Sequence, residues 1–466
     1  MDRKLPLLAA AAASLAACAP HVELAVAPAV YSQQWRGGPA ASADSPAPPA
    51  LAEAEGVPPS LAAAFASPAL EALVARALAA NADIGAAAAR LAQARAQLGI
   101  ARAEALPVVS ASADFRETRT DDSGNSLFDF STGTAGLDVS WEVDLFGRLA
   151  AGRRAARARF AAAGFDRDAV ALAVEAETVR AFVEYAALAD RIALLDRNVE
   201  SARELERIIA VRRRLGVATR VDTGIASVEV RQLEVERSRL TQARARIRNA
   251  LAVLTGDEAP SFVAPDTRLA AFTVPQVAVV QPPVLIVRRP DIRAAEARIA
   301  AASGDVGRAR AAFMPQLRLS ASAIGQAAAV GGPFGATLAA GAGLLAPIFD
   351  RGRLNGELAF AGAAQRESVE NYRGALLNAL REAEDALTAA AEARVRHGLL
   401  AEILAEARVT ARLARLQYVE GDADLQTVLD AERRLVAVED ALAVATQERL
   451  EASIDLYRAM GGNPRA

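Results

Sequence analysis

The chain has 466 residues, with 53 basic against 56 acidic side chains and a formal net charge of −3. That near-neutral balance offers no field for a nucleic acid, and the length holds two or three ordinary domains or one large architecture built twice. Two histidines (His21, His397) and one cysteine (Cys18) cannot assemble a His/Cys metal site or a Cys–His nucleophile, so no metal, cofactor or enzymatic chemistry is expected.

Residues 1–17 read as a secretory signal peptide, with Arg3 and Lys4 ahead of an apolar stretch from Leu5 to Ala17. The ending Leu15-Ala16-Ala17-Cys18 resembles the bacterial lipobox, which implies cleavage before Cys18 and acylation of that residue. The alternative is ordinary signal cleavage that leaves a free thiol. Ala19, rather than aspartate, follows the cysteine, and by the rules of lipoprotein sorting this implies the outer membrane. Residues 18–66 are rich in Pro, Ala and Ser and read as the lipid anchor and an extended tether.

The remainder is a duplication. Asp83, Ile84, Arg90, Gly99, Arg102 and Pro107 recur as Asp291, Ile292, Arg298, Gly307, Arg310 and Pro315. Repeat 1 covers 67–265 and repeat 2 covers 288–462, with a linker at 266–287. In each copy a helical segment (about 68–104, about 290–312) stops at the proline, which cannot continue a helix.

After Pro107 the period changes to two. Val109, Ala111, Ala113 and Phe115 alternate with polar residues. After the turn-like "TRTDDSGNS" so do Leu137, Val139, Trp141, Val143 and Leu145, which places Glu142 and Asp144 on the opposite side. The pattern predicts a β-hairpin at about 107–146 with an apolar face toward lipid, at the length of a tilted membrane strand; the alternative is an ordinary hairpin packed on a soluble core. In repeat 2, Ala327–Phe349 carries no charge and has the length of a membrane helix. Gly331, Gly332, Pro333, Gly335, Gly341, Gly343 and Pro347 forbid that helix, so the segment is read as part of a second hairpin at about 315–349 turning at "GGP". "GAGLLA" (341–346) matches a dinucleotide-binding glycine loop only formally, because Pro347 stands where its helix should begin.

Long helices follow, at about 150–254 and 353–460. Leu188, Ile192, Leu195, Val199 and Ala202 step by four and three, and so do Leu376, Leu380, Ala383, Leu387 and Ala390. A glycine-centred break interrupts each copy, at Gly216 ("RRLGVATRVD") and at Gly421 ("QYVEGDADLQ"). A sustained 3.5 period means paired helices, and rods of some 45–50 residues are expected to run roughly 70 Å.

Four strands cannot close a barrel, and an open sheet edge is intolerable in lipid, so copies of the chain must associate. "RRPDIRAAEARI" (288–299), "SWEVDLFGRL" (140–149), "APIFDRGRL" (346–354) and "GDADLQTVLDAE" (421–432) together resemble the TolC-like outer-membrane factor family. The match is to its lipoprotein branch, which serves drug-efflux pumps of the resistance–nodulation–division type. The resemblance covers about 66–462. It implies a mainly α fold with a membrane β-barrel portion: a homotrimer with a twelve-stranded barrel in outer-membrane lipid and a periplasmic α-helical tunnel. A periplasmic membrane-fusion adaptor would dock at the tip turns, Gly216 and Gly421, and join an inner-membrane resistance–nodulation–division pump.

The implied function is passive conduction of small exported molecules. The rival readings are a protein-secretion channel of the same fold and a non-conducting coiled-coil scaffold. The resemblance also places a periplasmic gate just after the second turn. Asp430 takes the main acidic position, Thr427 a position that is aspartate in some members, and Gln426 the position of an apolar ring. The plainer reading of Asp430 is a solvated helix residue paired with Arg433.

Overall fold

The computed structural model describes residues 34–36, 60–120, 128–327 and 334–462. The signal peptide, Cys18, most of the tether and the hairpin tip at 331–333 lie outside these residues, as does most of "TRTDDSGNS". The chain divides into two compact units. One joins Ala89–Phe165 with Ala294–Gly374; the other joins Asp166–Arg293 with Ala375 onward and the described residues up to Ala88. The units therefore cut across the sequence repeats.

The first unit is built on a four-stranded antiparallel sheet in the order β1-β2-β3-β4. The strands are β1 (Val108–Thr120), β2 (Phe128–Val143), β3 (Gln316–Ala327) and β4 (Phe334–Leu345). The repeats join at β2 and β3, where Trp141 stands opposite Leu319 and Leu137 opposite Ala323. Helices preceding the two hairpins end close to the prolines: α3 (Ala82–Ala103) and α7 (Pro290–Ala311). Two further helices, α1 (Leu61–Ala64) and α2 (Pro68–Ala80), come before α3.

The helices leaving the sheet are α4 (Arg148–Arg214) and α8 (Arg351–Glu420), of 67 and 70 residues. They are longer than the expected 45–50 because no proline interrupts either run and strong helix formers fill them. Each is followed by a helix of 35 residues, α5 (Arg220–Leu254) and α9 (Leu425–Ala459).

Within the first unit α4 and α7 approach at small residues. A Cβ on Gly304 would lie 2.8 Å from the backbone nitrogen and Cβ of Ala155. A Cβ on Gly307 would meet only the Ala155 neighbour Ala151, at 3.3 Å, and one on Gly99 would meet nothing. Gly304→Ala is therefore expected to destabilise by about 1–3 kcal/mol through overpacking. Gly99→Ala, at the position equivalent to Gly307, should stabilise by up to about 1 kcal/mol through helix propensity. Thermal unfolding followed by circular dichroism compares the two; equal midpoints would refute the close approach.

The second unit has an aromatic centre. Phe272 meets Phe65 and Phe182 edge-to-face at 6.1 and 5.8 Å, amid buried Leu61, Leu251 and Ile454. Two segments read as connections are anchored here. The tether was expected to run to 66, but Ser60 caps α1 and the Leu61 N–H donates to the buried Glu175 at 2.9 Å. The linker at 266–287 is not free either. Leu269 N–H donates to Asp190 at 2.8 Å, Thr273 N–H donates to the Phe65 carbonyl at 3.1 Å, and Leu285 of α6 (Pro282–Arg288) is fully buried. Both segments are too short to show a period, and their anchoring is wholly tertiary. Arg191 on α4 grips Asp440 on α9 at 2.6 and 3.0 Å, and Arg180 pairs with Asp455, so the repeats interlock.

Candidate functional site

Strand register sorts the sheet into two unlike faces, since residues directly opposite share a face. One face holds the alternate residues of Val109–Phe115, Gly133–Val143, Leu317–Ala327 and Phe334–Leu344, and every one is apolar or glycine. Leu137, Trp141, Phe334, Leu338 and Leu344 on it are exposed. The Phe334 ring covers Gly325, where a Cβ would come within 2.5 Å of it. The other face carries Ser110, Asp114, Thr134, Asp138, Glu142, Arg318 and Ser322. At its outer end the apolar set stops, with Glu117 opposite Ser131.

Glu142 sits on the polar face as the alternation demands, and receives the Arg148 guanidinium in a two-pronged bond at 3.0 and 2.8 Å. Asp144 departs from expectation, because β2 ends at Val143. The Asp144 carboxylate instead accepts the N–H groups of Leu149 and Ala150 at 3.1 and 2.7 Å. It satisfies donors that the first turn of α4 would leave orphaned, and Leu145 likewise lies beyond the strand. Trp141 keeps its apolar face outward while its indole N–H donates to the Ala105 carbonyl at 3.0 Å.

In the second unit the two glycine turns have matching geometry. Gly216 and Gly421 have φ of +80° and +94°, where an L side chain would be strained. Val217 N–H reaches back to the Arg212 carbonyl at 3.0 Å, and Asp422 N–H to the Gln417 carbonyl at 2.8 Å. These are Schellman-type ends of α4 and α8.

The caps that follow exchange residue types. Thr219 caps α5 by accepting the Asp222 N–H at 3.2 Å, while Asp222 accepts the Thr219 N–H at 2.7 Å. Asp424 caps α9 by accepting both the N–H and the hydroxyl of Thr427, at 2.8 and 2.6 Å. The Thr219 N–H and hydroxyl hold Asp222 below the usual carboxylate range, and the Thr427 hydroxyl and N–H do the same for Asp424. Thr427 is thus a capping residue. Asp424 ahead of an apolar helical period is itself a cap signal legible in the sequence.

Behind the turns Leu205, Ile209, Ala226, Tyr418, Val428 and Leu429 form one apolar cluster. The Arg212 guanidinium stacks 4.5 Å from the Tyr418 ring and donates to its carbonyl at 2.6 Å. Burial of Val428 and Leu429 turns Gln426 and Asp430 outward, four residues apart on one side of α9. The Asp430 side chain is 52% exposed, with Arg433 at 3.8 Å. Arg433 is committed elsewhere, bonding Glu229 of α5 at 2.9 and 2.7 Å. Nearby Glu432 is raised above its ordinary value by burial, against the pull of Arg415.

Among the described residues no single helix is long and apolar enough to cross a membrane, and no cluster of three or more His, Cys, Asp or Glu side chains could hold a metal. Comparison with known proteins gives a consistent family. The pyoverdine export outer membrane protein OpmQ of Pseudomonas aeruginosa is 33% identical over 408 residues, covering 86% of each chain. Outer membrane protein OprJ of the same species is 32% identical over 79% of each chain. Among solved structures, the outer-membrane channel OprN superposes with a TM-score of 0.80 at 28% identity, over 86% of this chain and 91% of that one. The open state of the Neisseria gonorrhoeae MtrE outer membrane channel gives 0.79 at 28% identity, over 85% and 90%. A model of the outer membrane efflux protein family matches residues 73–257 and 282–462, both hairpins and both glycine turns included, and the chain belongs to that family.

Proposed function

We propose that three copies of this chain form an outer-membrane channel that passively conducts small molecules delivered by a periplasmic adaptor and an inner-membrane pump. The observation that carries the reading is the sheet with one wholly apolar face and two open edges, β1 and β4. In hydrocarbon each unpaired edge group costs several kcal/mol, so only closure against other copies makes the sheet tolerable there. The apolar positions of β4 run from Phe334 to Leu344; at about 3.4 Å per residue and the usual strand tilt they span about 25 Å, the height of a barrel's apolar band. Three copies give the twelve strands that the family resemblance implies.

In this reading the energy belongs to the pump and the chain catalyses nothing. The turns at Gly216 and Gly421 receive the adaptor, and Cys18, acylated, anchors the mature N-terminus in the outer membrane. Purified protein in a planar bilayer is expected to produce discrete conductance steps; a scaffold would produce none, and their absence would overturn the proposal. Cys18→Ser should abolish palmitate incorporation yet leave those steps intact, since the strands carry their own apolar band. An unmodified residue 18 in the native protein by mass spectrometry would sink the anchor alone.

A further inference from the structure

Four helices meet the sheet of the first unit, between Ala103 and Val108, Val143 and Arg148, Ala311 and Gln316, and Leu345 and Arg351. At these junctions Leu106, Leu145 and Ile348 are exposed and Phe349 is wholly so. Interspersed with them stand Arg102, Arg153, Arg154, Arg157 and Arg351, all exposed. Among the described residues of one copy, none of these five side chains has a hydrogen bond or an ion pair.

Their neighbours show that the lack of partners is local. Arg148 holds Glu142, Arg159 pairs with Asp305, and Arg353 takes both Asp350 and Glu357. Among the described junction residues Glu104 makes no hydrogen bond or close ion pair, though its charge acts on Arg148. In a chain of net charge −3 this region is strongly basic.

The depth of the five arginines is specific. Arg102 is the last residue but one of α3 and Arg351 the first of α8. Arg153, Arg154 and Arg157 lie five to nine residues past the start of α4, about 8–14 Å along its axis. A headgroup layer is roughly 5–8 Å thick beyond the hydrocarbon, and flexible arginine stems snorkel across the remainder. Apolar residues followed by unpaired arginines are what an interfacial anchor requires.

We propose that the sheet–helix junctions form a basic collar that binds anionic phospholipid headgroups of the leaflet facing the helices. The inference rests on the reading of the apolar sheet face as membrane-spanning. Headgroup phosphates supply the counter-charges that the chain withholds, and so fix the depth and tilt of the sheet.

Native mass spectrometry of the purified full-length protein tests this with phosphatidylglycerol, phosphatidylcholine and inorganic phosphate as probes. Phosphatidylglycerol adducts should exceed phosphatidylcholine adducts by roughly tenfold. The preference should collapse in the variant Arg102→Gln/Arg153→Gln/Arg154→Gln/Arg351→Gln, while conductance steps persist in a phosphatidylcholine bilayer. Equal retention of the two lipids by the native protein, or a preference unchanged in the variant, overturns the collar. Competition by inorganic phosphate at millimolar concentration also overturns it, because that marks a free-anion site. If the variant fails to assemble, the native protein decides alone: its preference must fall steeply with salt. Loss of conductance in the native protein would instead indict the channel reading on which the collar rests.

Discussion

Asp430→Ala is expected to raise single-channel conductance severalfold and to weaken cation preference, and Gln426→Leu to lower conductance. Val428 and Leu429 face the apolar cluster of the second unit, which leaves Gln426 and Asp430 on the outward side of α9. If three copies surround an axis, three Asp430 carboxylates form a ring that attracts cations and resists anions. The competing account, neutralisation by Arg433, is weakened by geometry. Arg433 makes its close bonds, at 2.9 and 2.7 Å, to Glu229 and stands 3.8 Å from Asp430. An exposed pair at that separation contributes about 0.2–0.5 kcal/mol and would scarcely alter a current.

Thr427 is a different case, because its hydroxyl and N–H both serve the Asp424 cap. Thr427→Ala keeps the N–H bond to Asp424 and loses only the hydroxyl bond, so it should act weakly, through helix stability rather than through selectivity. Gln426→Leu replaces a hydrated amide by an apolar group that three copies could pack dry. Bilayer recordings of the three variants at fixed salt make the comparison. Currents of Asp430→Ala and Gln426→Leu identical to the native ones would place the constriction elsewhere.

Some of this structure could be read from residue types alone, and the reason is periodicity. Val109 to Phe115 and Leu137 to Val143 alternate strictly, and the same alternation survives in the register as an unbroken apolar face. The glycines at 216 and 421 were legible because left-handed backbone leaves few alternatives. What escaped was non-local. Phe65 and Phe272 lie in segments without period, and only their edge-to-face contact draws the supposed tether and linker into one core. Asp144 continued the strand alternation by type, but two orphan N–H groups at the start of α4 compete for its carboxylate and win. The gate is proposed by likeness to a family alone, and likeness does not reveal that the Thr427 hydroxyl and N–H serve Asp424.

Arg289→Ala is expected to destabilise the second unit by about 2–4 kcal/mol, the largest loss anticipated from a single side chain here. Its motif, "RRPDI", marks the family, but the motif does not reveal what the arginine does. The Arg289 side chain is only 10% exposed and gathers three separate elements. Nε and Nη2 donate to Asp291 of α7 at 3.0 and 2.8 Å, and Nη2 donates also to Glu382 of α8 at 2.8 Å. Nη1 donates to the carbonyl of Ala459, the last residue of α9, at 3.3 Å. That carbonyl is one of the acceptors a helix end leaves orphaned, and a cation there also suits the helix dipole.

Burial opposes the charge of Arg289, yet the Asp291 fork and Glu382 outweigh it and hold the guanidinium above its ordinary range. Truncation strands both carboxylates. The expected loss stays below that of a fully buried pair, because Asp291 and Glu382 remain 43% and 36% exposed and water can reach them. Arg289→Lys keeps the charge but cannot reproduce a planar fork to Asp291 while also reaching Ala459, so it should recover no more than about half of the loss. Urea unfolding of the full-length protein, followed by circular dichroism, orders the three proteins as native, lysine, alanine. A lysine variant as stable as the native protein would reduce the fork to a point charge. An alanine variant within about 0.5 kcal/mol of native would mean that the three elements hold together without it.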